Sequence, residues 1–191
     1  MIAGLILAAG ESSRMGRDKA LLTYRGRTFL ETIISALHEA GVNNVAVVLG
    51  HHAEDIQKAA VLEGLQVVIN PDWRRGQTSS LQAGLRALDR PYLEAIVLAL
   101  VDHPAVSVAT LQALITCFRD TAAPVVIPVR ELERGHPVII SRALFPELLS
   151  LKSDEGANLV TRKYRDATQF LKVDDPGILL DVDDEETYRG L

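Results

Sequence analysis

Ile2-Ala-Gly-Leu-Ile-Leu-Ala8, followed at once by Ala9-Gly-Glu-Ser-Ser-Arg-Met-Gly-Arg-Asp-Lys19, decides how this chain is read. The first segment is almost wholly apolar and short, the pattern of a strand covered on both faces of a parallel sheet. The second holds two glycines, two serines and three cations, Arg14, Arg17 and Lys19. Small residues let a backbone approach a ligand closely, and glycine takes φ > 0 in a tight turn. Successive N–H groups in such a loop form a concave anion site, to which nearby cations add charge. The loop reads as a polyphosphate cradle at the carboxyl end of the first strand. It is neither of the two common phosphate loops. Five residues separate Gly10 from Gly16, where a Walker A loop has four, and Gly10 is not followed by the spacing of a dinucleotide fingerprint.

Outward from this stretch, apolar runs alternate with helical stripes. Thr28 and Glu31 have capping-box spacing before the stripe Phe29, Leu30, Ile33, Ile34 and Leu37, which Gly41 stops. Strands are predicted at 45–49, 65–69, 95–101, 124–129, 169–173 and 178–182, with an extended piece at 137–140. Helices are predicted at 53–62, through Leu81, Leu85 and Leu88, after a Ser107 cap through Phe118, and at 145–151 and 157–164. Such alternation gives an α/β fold with a mainly parallel sheet and right-handed crossovers. One domain over 1–191 is the simplest organisation, with the irregular section about 130–165 read as an inserted flap.

The bulk numbers narrow the function. The chain has 191 residues, enough for one sizeable core, and a net charge of −5. That balance argues against general nucleic-acid binding, which needs a broad basic face. It leaves room for a local basic pocket. The single Cys117 excludes an intramolecular disulfide and a multi-cysteine zinc site. With no apolar run of about 18–20 residues, the expectation is a cytoplasmic protein without a membrane partner.

In open α/β sheets the ligand crevice lies outside the carboxyl ends of the strands. Asp102 emerges there, after Leu98-Ala-Leu-Val101. Magnesium takes oxygen ligands and often needs one or two carboxylates plus substrate phosphates, so Asp102 is a candidate Mg2+ ligand; a helix-capping role is the competing reading. Asp181 and Asp183 flank Val182, and on a strand i and i+2 point the same way, so either is a candidate second ligand. The remaining tail acids read as a solvated face. Arg14 and Lys19 suit phosphate by charge and reach. Asn70, Ser79 and Ser80 can hydrogen-bond a base or ribose. Trp73 either stacks on a base or anchors its loop. His51 and His52 read as a solvated pair, His103 and His136 as candidates to touch substrate, and Cys117 as core packing.

Together these residues resemble a known family, the nucleotidyltransferases of the molybdenum-cofactor type. Leu7-Ala-Ala-Gly-x-Ser-x-Arg-Met-Gly-x-x-Lys19 matches the signature of that superfamily, which also includes sugar-phosphate nucleotidyltransferases. Asn70-x-x-Trp73-x-x-Gly76-x-x-Ser79-Ser80-Leu81-x-x-Gly84 is similar to the cytidylyltransferase branch, as are Asp102-x-Pro104, Gly135-His136-Pro137 and Asp181-x-Asp183. The likeness runs from residue 3 to about 188. It implies a Rossmann-like three-layer α/β sandwich of the nucleotide-diphospho-sugar-transferase type. It implies that Leu7, Ala8, Ala9, Gly10, Ser12, Ser13, Arg14, Lys19, Asn70, Ser79 and Ser80 bind the nucleotide, with Arg14, Lys19 and Asp102 catalytic. Asp102, Asp181 and Asp183 would hold Mg2+. His103, Gly135, His136 and Pro137 would face the acceptor.

The implied reaction transfers CMP from CTP to the phosphate of a molybdopterin-type cofactor and releases pyrophosphate. Three alternatives stand beside it. Gly16-Arg-Asp-Lys19 is similar to the guanylyltransferase branch, which keeps GTP open. A sugar-phosphate nucleotidyltransferase shares the first loop. A non-catalytic carrier, delivering molybdenum cofactor to a molybdenum hydroxylase, would need the pocket without the metal.

Overall fold

The computed structural model describes residues 1–12 and 15–191. Its centre is β1 (Ile2–Ala8), buried along its whole length. Ile2, Ile6 and Ala8 pack into one core cluster, while Ala3, Leu5 and Leu7 pack into the other. A strand with a core on each face has no use for polar residues, which is why its sequence lacks them.

After the opening loop come a hairpin, β2 (Thr23–Tyr24) and β3 (Arg27–Thr28), and helix α1 (Phe29–Glu39). Both halves of the α1 capping box are made: Thr28 Oγ1 accepts from the Glu31 amide, and the Glu31 carboxylate accepts from the Thr28 amide. The chain continues through β4 (Val45–Leu49), α2 (Ala53–Ala59), β5 (Gln66–Ile69), α3 (Gln77–Leu88), β6 (Ala95–Leu100), α4 (Val108–Thr121) and β7 (Val125–Arg130). Then come β8 (Glu133–Arg134), β9 (Val138–Ser141), α5 (Phe145–Ser150), α6 (Asn158–Lys163), β10 (Gln169–Lys172) and α7 (Glu185–Arg189).

The sheet runs β10-β7-β9-β6-β1-β4-β5, with β8 paired to β7. β1 pairs in parallel with both β4 and β6, so the chain reverses its direction of winding there. Among the described residues, β9 and the short β8 run antiparallel to the other strands of this sheet. Helices α1, α2 and α4 cover one face through Ile33, Leu37, Ile56, Leu114 and Phe118. Helices α3, α5 and α6 cover the other through Leu81, Leu85, Phe145, Leu148 and Val160. The result is three layers with a mostly parallel sheet between two helical ones. Gly84 sets how closely α3 sits on the sheet, since a Cβ there would stand 2.3 Å from Leu5 Cδ1.

Two expectations are corrected. Residues 178–182 form no strand. Pro176–Ile178 is a 3-10 turn, and the apolar character of the residues after it serves burial: Val182 is fully buried with Met15, Leu22 and Phe29. The alternation argument for Asp181 and Asp183 therefore has no strand beneath it. The section read as a flap contains β9, an interior strand hydrogen-bonded to both β6 and β7. Its Ile139 and Ile140 are buried on opposite faces of the sheet.

No helix among the described residues is long and apolar enough to cross a membrane.

Candidate active site

A cleft of about 390 Å³ opens at the carboxyl edge of β1 and β6, beside the point where the winding reverses. Leu7, Ala8, Ala9, Gly10 and Ser12 form one wall. The opposite wall is the start of α3, through Gly76, Gln77 and Ser80, with Trp73 and Arg74 beside it. The residue before α3 is Gly76, which has no side chain to cap the first amides of the helix. Gly76, Gln77 and Ser80 bring this helix start to the lining of the cleft, a setting that suits an anion.

Ser12 turns the loop and ties it. It adopts a left-handed φ of 53°, and its Oγ accepts from the Lys19 amide at 3.1 Å. Asp18 caps the turn Lys19–Leu21 by accepting from the Ala20 amide. The Lys19 side chain, only 11% exposed, is thereby delivered to Asp102 Oδ2 at 3.3 Å and to Asp183 Oδ1. Burial works against its charge. The hydrogen bond it donates to Asp183 and the negative fields of Asp102, Asp183 and Asp181 outweigh this and hold the ammonium above its ordinary pKa. Burial, then the like charges of Asp102 and Asp183, push the Asp181 carboxyl up.

Asp102 stands just past β6, and the Val182 amide donates to its carbonyl at 2.9 Å, fastening the tail to the strand end. Its two carboxylate oxygens have different surroundings. Oδ2 meets Lys19, while Oδ1 is buried with no hydrogen-bond partner among the described residues. The imidazole of His103 stands beside it, with Nε2 3.8 Å from Oδ1. The tail is also clamped from outside: Arg17 pairs with Glu185 at 3.0 Å and lies over the Tyr188 ring, which packs edge-on against Phe29.

The structure thus brings Leu7, Ala8, Ala9, Gly10, Ser12, Lys19, Ser80, Asp102 and Asp183 into one cleft. It places others differently. Asn70 is buried and donates to both Ser79 and Ser80 at 2.9 Å, so this trio closes the 70–80 loop upon itself. Ser79 faces a separate groove beside Arg75 and Arg86. His103 and His136 are neighbours with ring centroids 5.4 Å apart, and Pro137 meets His103 around a small apolar recess. Burial, then the nearby His103, lowers the His136 pKa to about 4. Gly135 is locked against Ile178, whose carbonyl a Cβ would meet at 2.4 Å. Ser13 and Arg14 lie outside the described residues. His51 is no solvated bystander: it packs against His52 and against Trp73, which anchors its loop over Gly50.

Sequence reasoning missed Asp18, Gln77 and Arg74 in the cleft. The Arg74 guanidinium lies 4.4 Å over the Trp73 ring. Asp18 is held above the ordinary carboxylate range chiefly by burial, against the Ala20 amide and His52. Only its place one residue before Lys19 hinted at a role.

The mostly parallel sheet, with the loop after β1, the start of α3 and a lysine–carboxylate cluster beside its reversal point, is that of a nucleotidyltransferase. The chain belongs to the MobA-like NTP transferase domain family, whose model matches residues 4–168. It is 36% identical over 198 residues to nicotine blue oxidoreductase of Paenarthrobacter nicotinovorans, covering all of this chain and 96% of that protein. The crystal structure of Rv0371c from Mycobacterium tuberculosis superposes with a TM-score of 0.88 at 35% identity, covering 99% of this chain and 95% of that one. Its complex with manganese gives a TM-score of 0.83 at 33% identity, covering 100% of this chain and 97% of that one. A probable molybdenum cofactor guanylyltransferase of Opitutus terrae is 37% identical over 108 residues, 56% of this chain and 51% of that protein.

Proposed function

We propose that the cleft transfers a nucleotidyl group, CMP in first preference and GMP in second, to the terminal phosphate of a molybdopterin-type cofactor. The observation that carries the reading is the meeting of Lys19, Asp102 and Asp183 on the floor of a cleft walled by an anion-accepting loop. The family and the likeness to a molybdenum cofactor guanylyltransferase support the acceptor class.

An acceptor phosphate oxygen attacks the α-phosphorus of the triphosphate. The bond from that phosphorus to the bridging oxygen breaks, pyrophosphate departs with the electron pair, and a diphosphate linkage forms. A phosphate monoester is already ionised near neutral pH, so no side-chain base is needed. The N–H groups of the loop and of α3 hold the phosphates. The Lys19 ammonium, held at the cleft by Asp183, stabilises the charge that grows there. Gly135, His136 and Pro137 lie on the acceptor side.

A divalent cation fits the residues present. Asp102 Oδ1 is buried without a partner among the described residues, and Asp102, His103 and Asp181 each offer a ligand atom within 4.8 Å of the others. The manganese complex of Rv0371c supports the same reading. When bound, such an ion neutralises phosphate charge and orients the reacting oxygens. Asp102 and Asp181 would be its carboxylate ligands, with Asp183 the partner of Lys19.

The test is pyrophosphate release from CTP, GTP, ATP and UTP, each alone, with molybdopterin cofactor and with a sugar 1-phosphate. Release from CTP or GTP only with the molybdopterin acceptor is the expected result. Release with the sugar phosphate moves the acceptor class, and cofactor binding without release from any nucleotide favours a carrier. Oxidation–reduction turnover without pyrophosphate aligns the chain instead with the reaction that the name nicotine blue oxidoreductase denotes.

A further inference from the structure

The two oxygens of Asp102 divide the site. Oδ2 belongs to Lys19. Oδ1, buried and without a hydrogen bond among the described residues, looks toward His103 Nε2 at 3.8 Å, too far for a hydrogen bond and close enough for a shared ligand between them. The His103 side chain is itself only 10% exposed, and its other nitrogen, Nδ1, is also buried without a partner there. Nε2 is thus the ring nitrogen nearest the open oxygen of Asp102, placed where a cation between them would meet both. Asp181 lies on the same side, with ligand atoms of all three residues within 4.8 Å of one another. We propose that His103 is a direct metal ligand, so that Asp102, His103 and Asp181 form a mixed nitrogen–oxygen site. This rests on the reading of Asp102 as a metal residue and assigns to His103 a place other than acceptor contact.

The donor set selects the ion. Mg2+ takes oxygen ligands and keeps most of its waters, so an imidazole adds little to its binding. First-row transition ions accept imidazole nitrogen readily. A site with one imidazole and two carboxylates therefore favours Mn2+ and its transition-metal neighbours over Mg2+. The charge suits it too: two carboxylates balance a divalent ion, while Lys19 stays with Asp183.

The experiment titrates Mn2+ into the full chain without nucleotide and reads electron spin-echo modulation of the bound ion. The wild type is expected to show a directly coordinated nitrogen that changes on 15N labelling of histidine. His103→Gln should lose that signal and bind Mn2+ roughly tenfold more weakly, with Mg2+ affinity changed by less than about twofold. His136→Gln should keep the signal. A bound Mn2+ that depends on Asp102 yet shows no coordinated nitrogen overturns the assignment of His103 and leaves the carboxylate reading standing. Mn2+ binding that is unchanged in Asp102→Asn, or no binding at all, overturns both. Circular dichroism on each variant separates loss of ligand from loss of fold.

Discussion

Lys19 Nζ lies 3.3 Å from Asp102 Oδ2, although 83 residues separate them in the chain. The contact joins the opening loop to the end of β6, and Asp183 joins the tail to the same ammonium. Three distant segments meet at one charge, so the lysine organises the site before any substrate enters. Removing either partner has different consequences.

Asp102→Asn keeps the shape and a hydrogen-bond acceptor but removes the charge. Nucleotidyl transfer should fall about 10²–10³-fold, the usual cost of losing one preorganised electrostatic contact, while circular dichroism stays that of the wild type. Initial rates of pyrophosphate release check this, and a variant with wild-type rates removes Asp102 from the mechanism.

Lys19→Met leaves Asp102, Asp181 and Asp183 facing one another without the cation. Transfer should drop by about two orders of magnitude. Lys19→Arg should recover little, because a planar guanidinium cannot replace a compact ammonium between two carboxylates in a space this enclosed. Steady-state kinetics of the two variants measure both effects, and full recovery by arginine would show that only the charge matters.

Asp175 gives a stability prediction away from the chemistry. Burial opposes its ionisation, but hydrogen bonds from the Thr110 hydroxyl and the amides of Ser107 and Gly177 prevail and hold its carboxyl below the ordinary range. A carboxyl with a lower pKa folded than unfolded stabilises the fold above the unfolded value, near pH 3.9, and loses that contribution as pH falls through the folded one. Asp175→Asn should cost about 1.5–3 kcal/mol at neutral pH, with the difference from wild type shrinking below about pH 4. Urea unfolding at neutral and acid pH reads both; an equal difference at every pH contradicts the assignment.

Much of this architecture is legible in the residues. β1 announces itself because both its faces are buried, and Thr28 with Glu31 makes the capping box their spacing promised. Residues 178–182 misled because an apolar run reports burial and not hydrogen bonding: Val182 is buried by Met15, Leu22 and Phe29, outside any strand. β9 matches the extended piece expected at 137–140, but no local pattern reveals its insertion between β6 and β7. That Lys19 and Asp102 line one cleft follows from the loop after β1 and the end of β6 lying at the same edge of the sheet. Asn70 was not placed well, since a polar residue that could meet a base can equally hydrogen-bond to Ser79 and Ser80. Asp18 and His103 gained weight only from buried atoms without a hydrogen bond among the described residues, which no sequence displays.

The most direct test of the central claim tracks phosphorus. With CTP or GTP labelled separately at the α and γ positions and molybdopterin cofactor as acceptor, the α label should appear in a new diphosphate linkage on the acceptor. The γ label should leave entirely as pyrophosphate, one per linkage formed. A γ label found on the acceptor, or an α label recovered only as free nucleoside monophosphate, would contradict nucleotidyl transfer at this cleft.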